Sequence, residues 1–383
     1  MAERAPQSPV RFRALAEVAF VTGAVAFGGG LAAIARLRRV IVDERGWMGE
    51  EAFIERVAVA GALPGTMVTN LLVLVFYELK GTLGALLATL VFIAPGCTLI
   101  SVLAVYYDVI HGTPWVRVAL DGLNPAVAGL FLSIAVELGR STLKDLRGVV
   151  IAVAATVALA TRWLTLLEVV AVAGTVGAIA SRPRAPSQPG SLALLPAMAL
   201  AVTAPVWLVV FGVFARIGVA TFGGGIAMVP AIEHEAITRG WLDARAFADA
   251  VAFGQITPGP VATTATFVGW RAAGPIGALA ATIGVFFPPT ALALLAARSL
   301  AAFRENRVVQ GFLRGIAPAV VGIMAAASFS LGRASVHAWS DGAILAASVA
   351  VRLVWPRANP LWPLGAGAVA GVVRAIATGA LVL

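Results

Sequence analysis

The chain has a single cysteine, Cys97, so on its own it can form neither a disulfide nor a cysteine-ligated metal site. Charge is also scarce: 12% of its 383 residues are Asp, Glu, Lys or Arg, where a soluble domain carries about 25%. Signatures of catalysis are missing. His234-Glu235 is not followed by the second His of a zinc-protease helix, and there is no Gly-x-Ser-x-Gly elbow or Walker phosphate loop. The chain therefore reads as no enzyme, with neither metal nor cofactor expected. Its net charge of +9 comes from basic residues scattered through short loops. No basic helix or stacking array accompanies them, so a nucleic-acid partner is not expected.

What is abundant is apolar sequence: 60% of residues are hydrophobic, and the mean hydropathy is +0.93. Val57–Tyr77, Thr82–Tyr107, Ala250–Trp270 and Ala272–Ala297 hold no charged side chain. Crossing a bilayer takes roughly 17–25 such residues. The expected fold class is an all-α polytopic membrane protein with the lipid bilayer as partner. The cell (plasma) membrane is its expected location. Met1–Arg13 is polar and basic and leads straight into an apolar segment without a small-residue cleavage site, which reads as a retained first helix.

One order of features occurs twice. Phe27-Gly28-Gly29-Gly30 returns as Phe222-Gly223-Gly224-Gly225, and Gly46-Trp47 as Gly240-Trp241. Leu63-Pro64-Gly65 is answered by Thr257-Pro258-Gly259-Pro260, Phe92–Pro95 by Phe286–Pro289, and Gly122–Gly129 by Gly315–Gly322. Two homologous helical halves follow, 1–180 and 206–383. The Pro- and Ser-rich linker lies between them, within 181–205. Arg36–Arg56, charged with both signs, reads as an interfacial helix and turn. Gly148–Ala180 reads as two short helices or a hairpin, and Asn124-Pro125 as a helix start or kink.

The basic loops suggest how the halves are oriented. Arg117 stands alone after the third run of the first half, against Arg298, Arg304, Arg307 and Arg314 in the second. After the fourth run the bias reverses, with Arg140, Lys144 and Arg147 against Arg333. Since basic loops stay on the cytoplasmic face, the halves are expected to be inverted repeats. A crossing by residues 192–205 would supply the flip. Segments one and two would then enter and leave by the same face, broken or re-entrant at Gly28–Gly30 and Pro64-Gly65, which is tolerated only where the backbone is buried in protein or lines a wet cavity.

Broken helices present unpaired N–H groups and a positive dipole end, a geometry suited to a small anion. The candidate binding residues are Gly28, Gly29, Gly30, Pro64, Gly65 and Thr66 in the first half. In the second they are Gly223, Gly224, Gly225, Gln255, Thr257, Pro258, Gly259 and Pro260. Small residues that merely let helices approach are the plainer alternative. Arg36 and Arg39 after the first glycine motif, and Glu233 and His234 after the second, are candidates for anion attraction or coupling. A solvated interfacial turn is the alternative for them. Arg162, Arg216, Arg271 and Arg374 read as snorkelling side chains.

Phe222–Pro230 (FGGGIAMVP), Gly240-Trp241-Leu242 and Gly254–Pro260 (GQITPGP) resemble the chromate ion transporter family. So do the paired segments GLNPAVAG and GIAPAVVG, the length and the duplication. The resemblance implies a secondary transporter that exports chromate from the cytoplasm, coupled to the proton-motive force, with sulfate as its structural mimic and a homodimer among the expected assemblies. In the first half the family pattern has Phe-Gly-Gly-Pro before a small residue and His, and Gln before Leu-Pro-Gly-Pro; this chain has Phe27-Gly28-Gly29-Gly30-Leu31 and Gly61-Ala62-Leu63-Pro64-Gly65-Thr66. Competing readings are a transporter of another small anion such as sulfate, or a lipid flippase or membrane scaffold built on re-entrant hairpins.

Overall fold

A computed structural model describes residues 10–25, 30–161, 163–180, 204–222, 224–298, 307–355 and 359–379. Every regular element among them is helical. The first half contains α1 (Phe12–Val25), α2 (Gly30–Arg38), α3 (Glu50–Ala62), α4 (Met67–Val105), α5 (Tyr107–Gly112), α6 (Pro114–Thr142), α7 (Leu146–Ala160) and α8 (Leu166–Ala180). The second contains α9 (Val206–Ala220), α10 (Val229–Thr238), α11 (Ala244–Ile256), α12 (Thr264–Arg298), α13 (Arg307–Ser335), α14 (Trp339–Val354) and α15 (Leu361–Ala377). Four helices are long and apolar enough to cross a membrane: Met67–Val105, Pro114–Thr142, Val261–Arg298 and Gln310–Ser335. Leu83, Leu90, Val153, Ile276, Leu279 and Val369 point outward, each more than half exposed. An apolar exterior of this kind suits lipid rather than water. The chain is a multi-pass α-helical membrane protein.

Two of those four helices are not straight. At 39 residues α4 would be about 58 Å long, nearly twice a hydrocarbon core. It reverses at Lys80 (φ −146°, ψ 19°) and Gly81 (φ 65°, ψ −161°). α12 reverses at the matching place, Ala273 (φ −151°, ψ 29°) and Gly274 (φ 62°, ψ −150°). In both, a glycine takes the left-handed conformation that other residues resist. The fold-back brings Thr266 Oγ1 to 2.7 Å from Thr282 Oγ1 and sets Gly269 directly against Gly277.

A second kind of hairpin precedes each of these. Leu63, held extended (φ −87°, ψ 149°) by the proline after it, ends α3. The chain turns through Gly65 at φ +97° and restarts as α4. Asn70 closes the tip, its Nδ2 donating to the carbonyl of Pro64 at 2.9 Å and to those of Leu63 and Ala60. At the mouth, Arg56 donates to Glu78 at 2.9 Å. Both ends of the hairpin therefore leave on one side of the protein. Thr257 (φ −84°, ψ 148°), Pro258 and Gly259 (φ +104°) make the same turn between α11 and α12.

α1 and α2 form a third hairpin, with Arg45 beyond α2 reaching 3.8 Å from Glu17 in α1. α9 and α10 form the fourth, where Arg216 lies 3.4 Å from Glu235 and Phe214 stacks on Trp241. Arg36–Arg56 holds a helix and a turn, as expected, and also opens a second helix. α2 continues as a π-helix over Arg39–Glu44, the chain turns, and Glu50 opens α3. Arg38 grips that first turn through Nε and Nη2 at 2.8 and 2.7 Å from Glu50, and the guanidinium holds the Glu50 carboxyl below its ordinary range.

The two halves are interleaved. α6 packs against α14 and α15 of the second half, while α13 packs against α7 and α8 of the first. These contacts rest on glycines that let backbones touch: Gly122 against Gly367 and Gly371, and Gly315 against Ala173 and Gly177. α6 and α13 run antiparallel. Ser328 donates to the carbonyl of Ala128 at 2.9 Å, while Gly139 faces Val321. Asn124-Pro125 is no helix start, since it stands ten residues inside α6, and the helix continues through the proline. The expected linker and crossing, 181–203, lie outside the described residues.

Candidate functional site

The two Pro-Gly turns meet the described residues next to the glycine motifs. Gly65 N–H donates to the carbonyl of Thr221 across 2.7 Å, joining the first-half Pro-Gly turn to the chain just before the second glycine motif. A Cβ on Gly225 would lie 3.0 Å from Thr66 Cγ2 and 3.4 Å from the amide of Ala262. One on Gly30 would lie 3.0 Å from Val68 Cγ2. Pro258 and Gly259 rest against Gly96, beside the proline at position 95. Residues expected at the site from both halves thus meet, although sequence order alone does not pair the glycine motif of one half with the Pro-Gly turn of the other. Gly28, Gly29 and Gly223 lie outside the described residues.

The chemistry of this centre is that of donors without full charge. α4 starts at Met67, a 3-10 turn at Val261 leads into α12, and a second 3-10 turn at Gly225 leads into α10. α2 starts at Gly30. Each such start leaves backbone N–H groups without intrahelical partners and a partial positive charge. Around them Gln255 Nε2, Thr263 Oγ1 and Thr264 Oγ1 are buried without a partner. An unmade bond on a buried polar atom costs about 1–3 kcal/mol.

Thr66 contributes differently. Its Oγ1 lies 2.6 Å from Thr69 Oγ1, which in turn donates to the Thr66 carbonyl at 2.9 Å, so the hydroxyl proton of Thr66 is committed inside the tip. Thr257 caps its own helix, its N–H on the Phe253 carbonyl.

The residues expected to attract anions or couple separate into two places. Arg39 is exposed and pairs with Glu44 at 2.9 Å, as a solvated turn would. Arg36 is half-buried, with Nε enclosed. Glu233 is buried and accepts from Ser330 Oγ at 2.5 Å. It lines a cavity of about 440 Å³ with His234, Glu235, Arg216 and Arg333, enclosed by α8, α9, α10 and α13. Ile217 and Ala220 also line it, so the cavity reaches the helix that ends at the central tips. Arg271 and Arg374 are paired, with Asp108 at 2.9 Å and with Asp341, while Arg162 lies outside the described residues.

Sequence reasoning missed a buried polar cluster. Asp249 on α11 is fully buried and accepts from Tyr107 Oη and Asn124 Nδ2, each at 2.7 Å. His111 Nδ1 stands 3.3 Å from the same carboxyl group. A signal was present: Asp249 is the lone charge in the apolar stretch 246–256, and an ionisable residue at such a position in a membrane helix is usually functional.

Comparison with known proteins adds an independent finding. The protein family described as Chromate transporter matches the chain twice, over residues 13–178 and 208–372. A chromate transport protein of Pseudomonas aeruginosa is 32% identical over 381 residues, covering 87% of this chain and 90% of its own. A probable chromate transport protein of Synechococcus elongatus is 31% identical, covering 82% and 83%. A chromate transport protein of Cupriavidus metallidurans is 26% identical, covering 92% and 90%. No solved structure matches the chain.

Proposed function

The chain belongs to the chromate transporter family, and on that premise we propose that it exports chromate from the cytoplasm across the plasma membrane, driven by the proton-motive force. The observation that carries this reading is that Gly65, Thr66, Gly225 and Pro258 meet across the two halves, close to the buried, unpartnered Gln255 Nε2 and Thr263 and Thr264 hydroxyls. Chromate is a tetrahedral dianion that only accepts hydrogen bonds. Helix starts and neutral donors can replace its water while placing no full cation beside it, which lets the ion leave again. Sulfate has the same shape and charge and is the expected competitor.

The antiparallel contact of α6 and α13 supports inverted halves, because corresponding helices that pack antiparallel are related by an axis lying across them. In that arrangement Arg56, Lys80 and Lys144 lie on the cytoplasmic side, as the basic loops require. The cavity beside α9 and α10 then opens outward, and its Arg216 and Arg333 draw the anion along the exit path.

The test is uptake of labelled chromate into everted vesicles, with and without a proton gradient and with sulfate in competition. Gradient-dependent accumulation blocked by sulfate is expected. Absence of accumulation by well-inserted protein would overturn the reading, and a screen of other anions would follow.

A further inference from the structure

The Asp249 cluster stands apart from the anion site. The carboxylate is fully buried, yet no arginine or lysine reaches it among the described residues. The nearest cations are engaged elsewhere: Arg271 by Asp108, and Arg245 by Asp121. Arg271 also lies over the Tyr107 ring at 5.4 Å. Asp243, at the start of α11, is the other acid whose charge reaches Tyr107. Phe253 and Phe267 wall the tyrosine on its remaining sides. Keeping a fully buried carboxylate charged without a cation beside it is costly.

Two further features point to a titrating group. His111 Nδ1 lies 3.3 Å from Asp249 Oδ2. It is 28% exposed, so it touches both solvent and the buried carboxyl group. Second, the Asn124 Oδ1 is buried with no partner, so the cluster has acceptor capacity to spare. The cluster also joins the two halves, since Tyr107 and Asn124 come from the first and Asp249 from the second. Six residues further along α11, about 9 Å, stands Gln255 at the central site.

Building on the export reading above, we propose that Asp249 is the carboxylate that binds and releases the driving proton. One proton passes from His111 Nδ1 to Asp249 Oδ2, leaving a neutral imidazole and a carboxylic acid. Water at the exposed edge of the imidazole restores its proton. Neutralising Asp249 weakens the charge-assisted bonds from Tyr107 and Asn124, which are roughly twice as strong as neutral ones. α11 is then freed from α6 and carries the Gln255–Pro260 tip with it. In the inverted arrangement His111 faces the outside, where protons enter as chromate leaves.

The test uses the purified full-length chain in liposomes, assayed for chromate accumulation under an imposed pH gradient and for exchange of labelled against unlabelled chromate without one. D249N is expected to lose gradient-driven accumulation to the level of empty liposomes while exchange persists, and D249E to restore accumulation with a displaced pH profile. Gradient-driven accumulation by D249N would overturn the proposal. So would loss of exchange together with accumulation that D249E fails to restore, which marks a structural role. If the wild-type chain performs neither assay, the export reading fails instead. The carboxyl group is then followed directly by infrared difference spectroscopy on acidification: a protonated-carboxyl band absent from D249N supports the assignment, and one present in both overturns it.

Discussion

Gly65 and Thr221 lie 156 positions apart in the chain and share a backbone hydrogen bond of 2.7 Å. This bond ties the Pro-Gly tip of one half to the glycine motif of the other, so neither tip is positioned by its own half alone. Gly65 is poorly replaceable for two separate reasons: its φ is +97°, and a Cβ would stand 2.5 Å from Pro289 Cβ. Backbone strain and overpacking each cost about 1–3 kcal/mol. Gly65→Ala is expected to abolish transport and lower the melting temperature. Gly224→Ala, at φ +104° but with open space around it, should lose less stability. Equal melting temperatures for the two variants would show that the contact with Pro289 does not hold the tip.

The reversal inside α12 makes a sharp geometric claim. Thr266 and Thr282 would stand about 24 Å apart on a straight helix, yet their hydroxyls are 2.7 Å apart. A disulfide requires Cα atoms within about 7 Å. In a Cys97→Ala background, which removes the thiol 3.8 Å from Thr266, the pair T266C and T282C should oxidise within one chain. Trypsin cleaves between them at Arg271, so the linked peptides can be read by mass. Failure to cross-link under oxidant would mean that the helix does not fold back.

The sequence showed where the chain breaks but not what the breaks meet. Pro64-Gly65 and Pro258-Gly259 were legible because proline and glycine act locally, through dihedral angles their neighbours must follow. The pairing of Gly225 with Thr66 was not legible, because contact across halves leaves no periodic mark. Asn124-Pro125 is not the helix start that proline's tolerance of a first turn suggested, because packing against α13 and α14 carries α6 past it. Asp249 went unremarked because it sits at the edge of an apolar run, where charge usually means solvent. Only the folded chain shows Tyr107 and Asn124 closing over it.

Helix exchange between halves predicts which glycines are needed for folding rather than transport. A Cβ on Gly122 would overlap the carbonyl of Gly367, and one on Gly315 the carbonyl of Ala173. Both contacts join the halves. Gly122→Val and Gly315→Val are expected to cut the yield of monodisperse protein severely, since overpacking in a filled interface costs roughly 1–3 kcal/mol or more. Gly342→Val, where nothing stands within 4 Å, should leave yield unchanged. Normal yield for Gly122→Val, measured by size-exclusion chromatography, would mean that α6 does not rest on α15.

Orientation in the bilayer gives the last prediction. Lys144 follows the end of α6 and Arg333 lies near the end of α13. Because these helices pack antiparallel, with Ala128 beside Ser328 and Gly139 beside Val321, their C-terminal ends point to opposite sides of the protein. Basic residues concentrate after α6 and are sparse after α13, so Lys144 should be cytoplasmic and Arg333 outside. Cysteines placed singly at 144 and 333 in a Cys97→Ala background should react with an impermeant maleimide from opposite faces of the membrane, position 333 in intact cells and position 144 in everted vesicles. Labelling of both from the same face would rule out inverted halves and, with them, the outward opening of the cavity lined by Arg216 and Arg333.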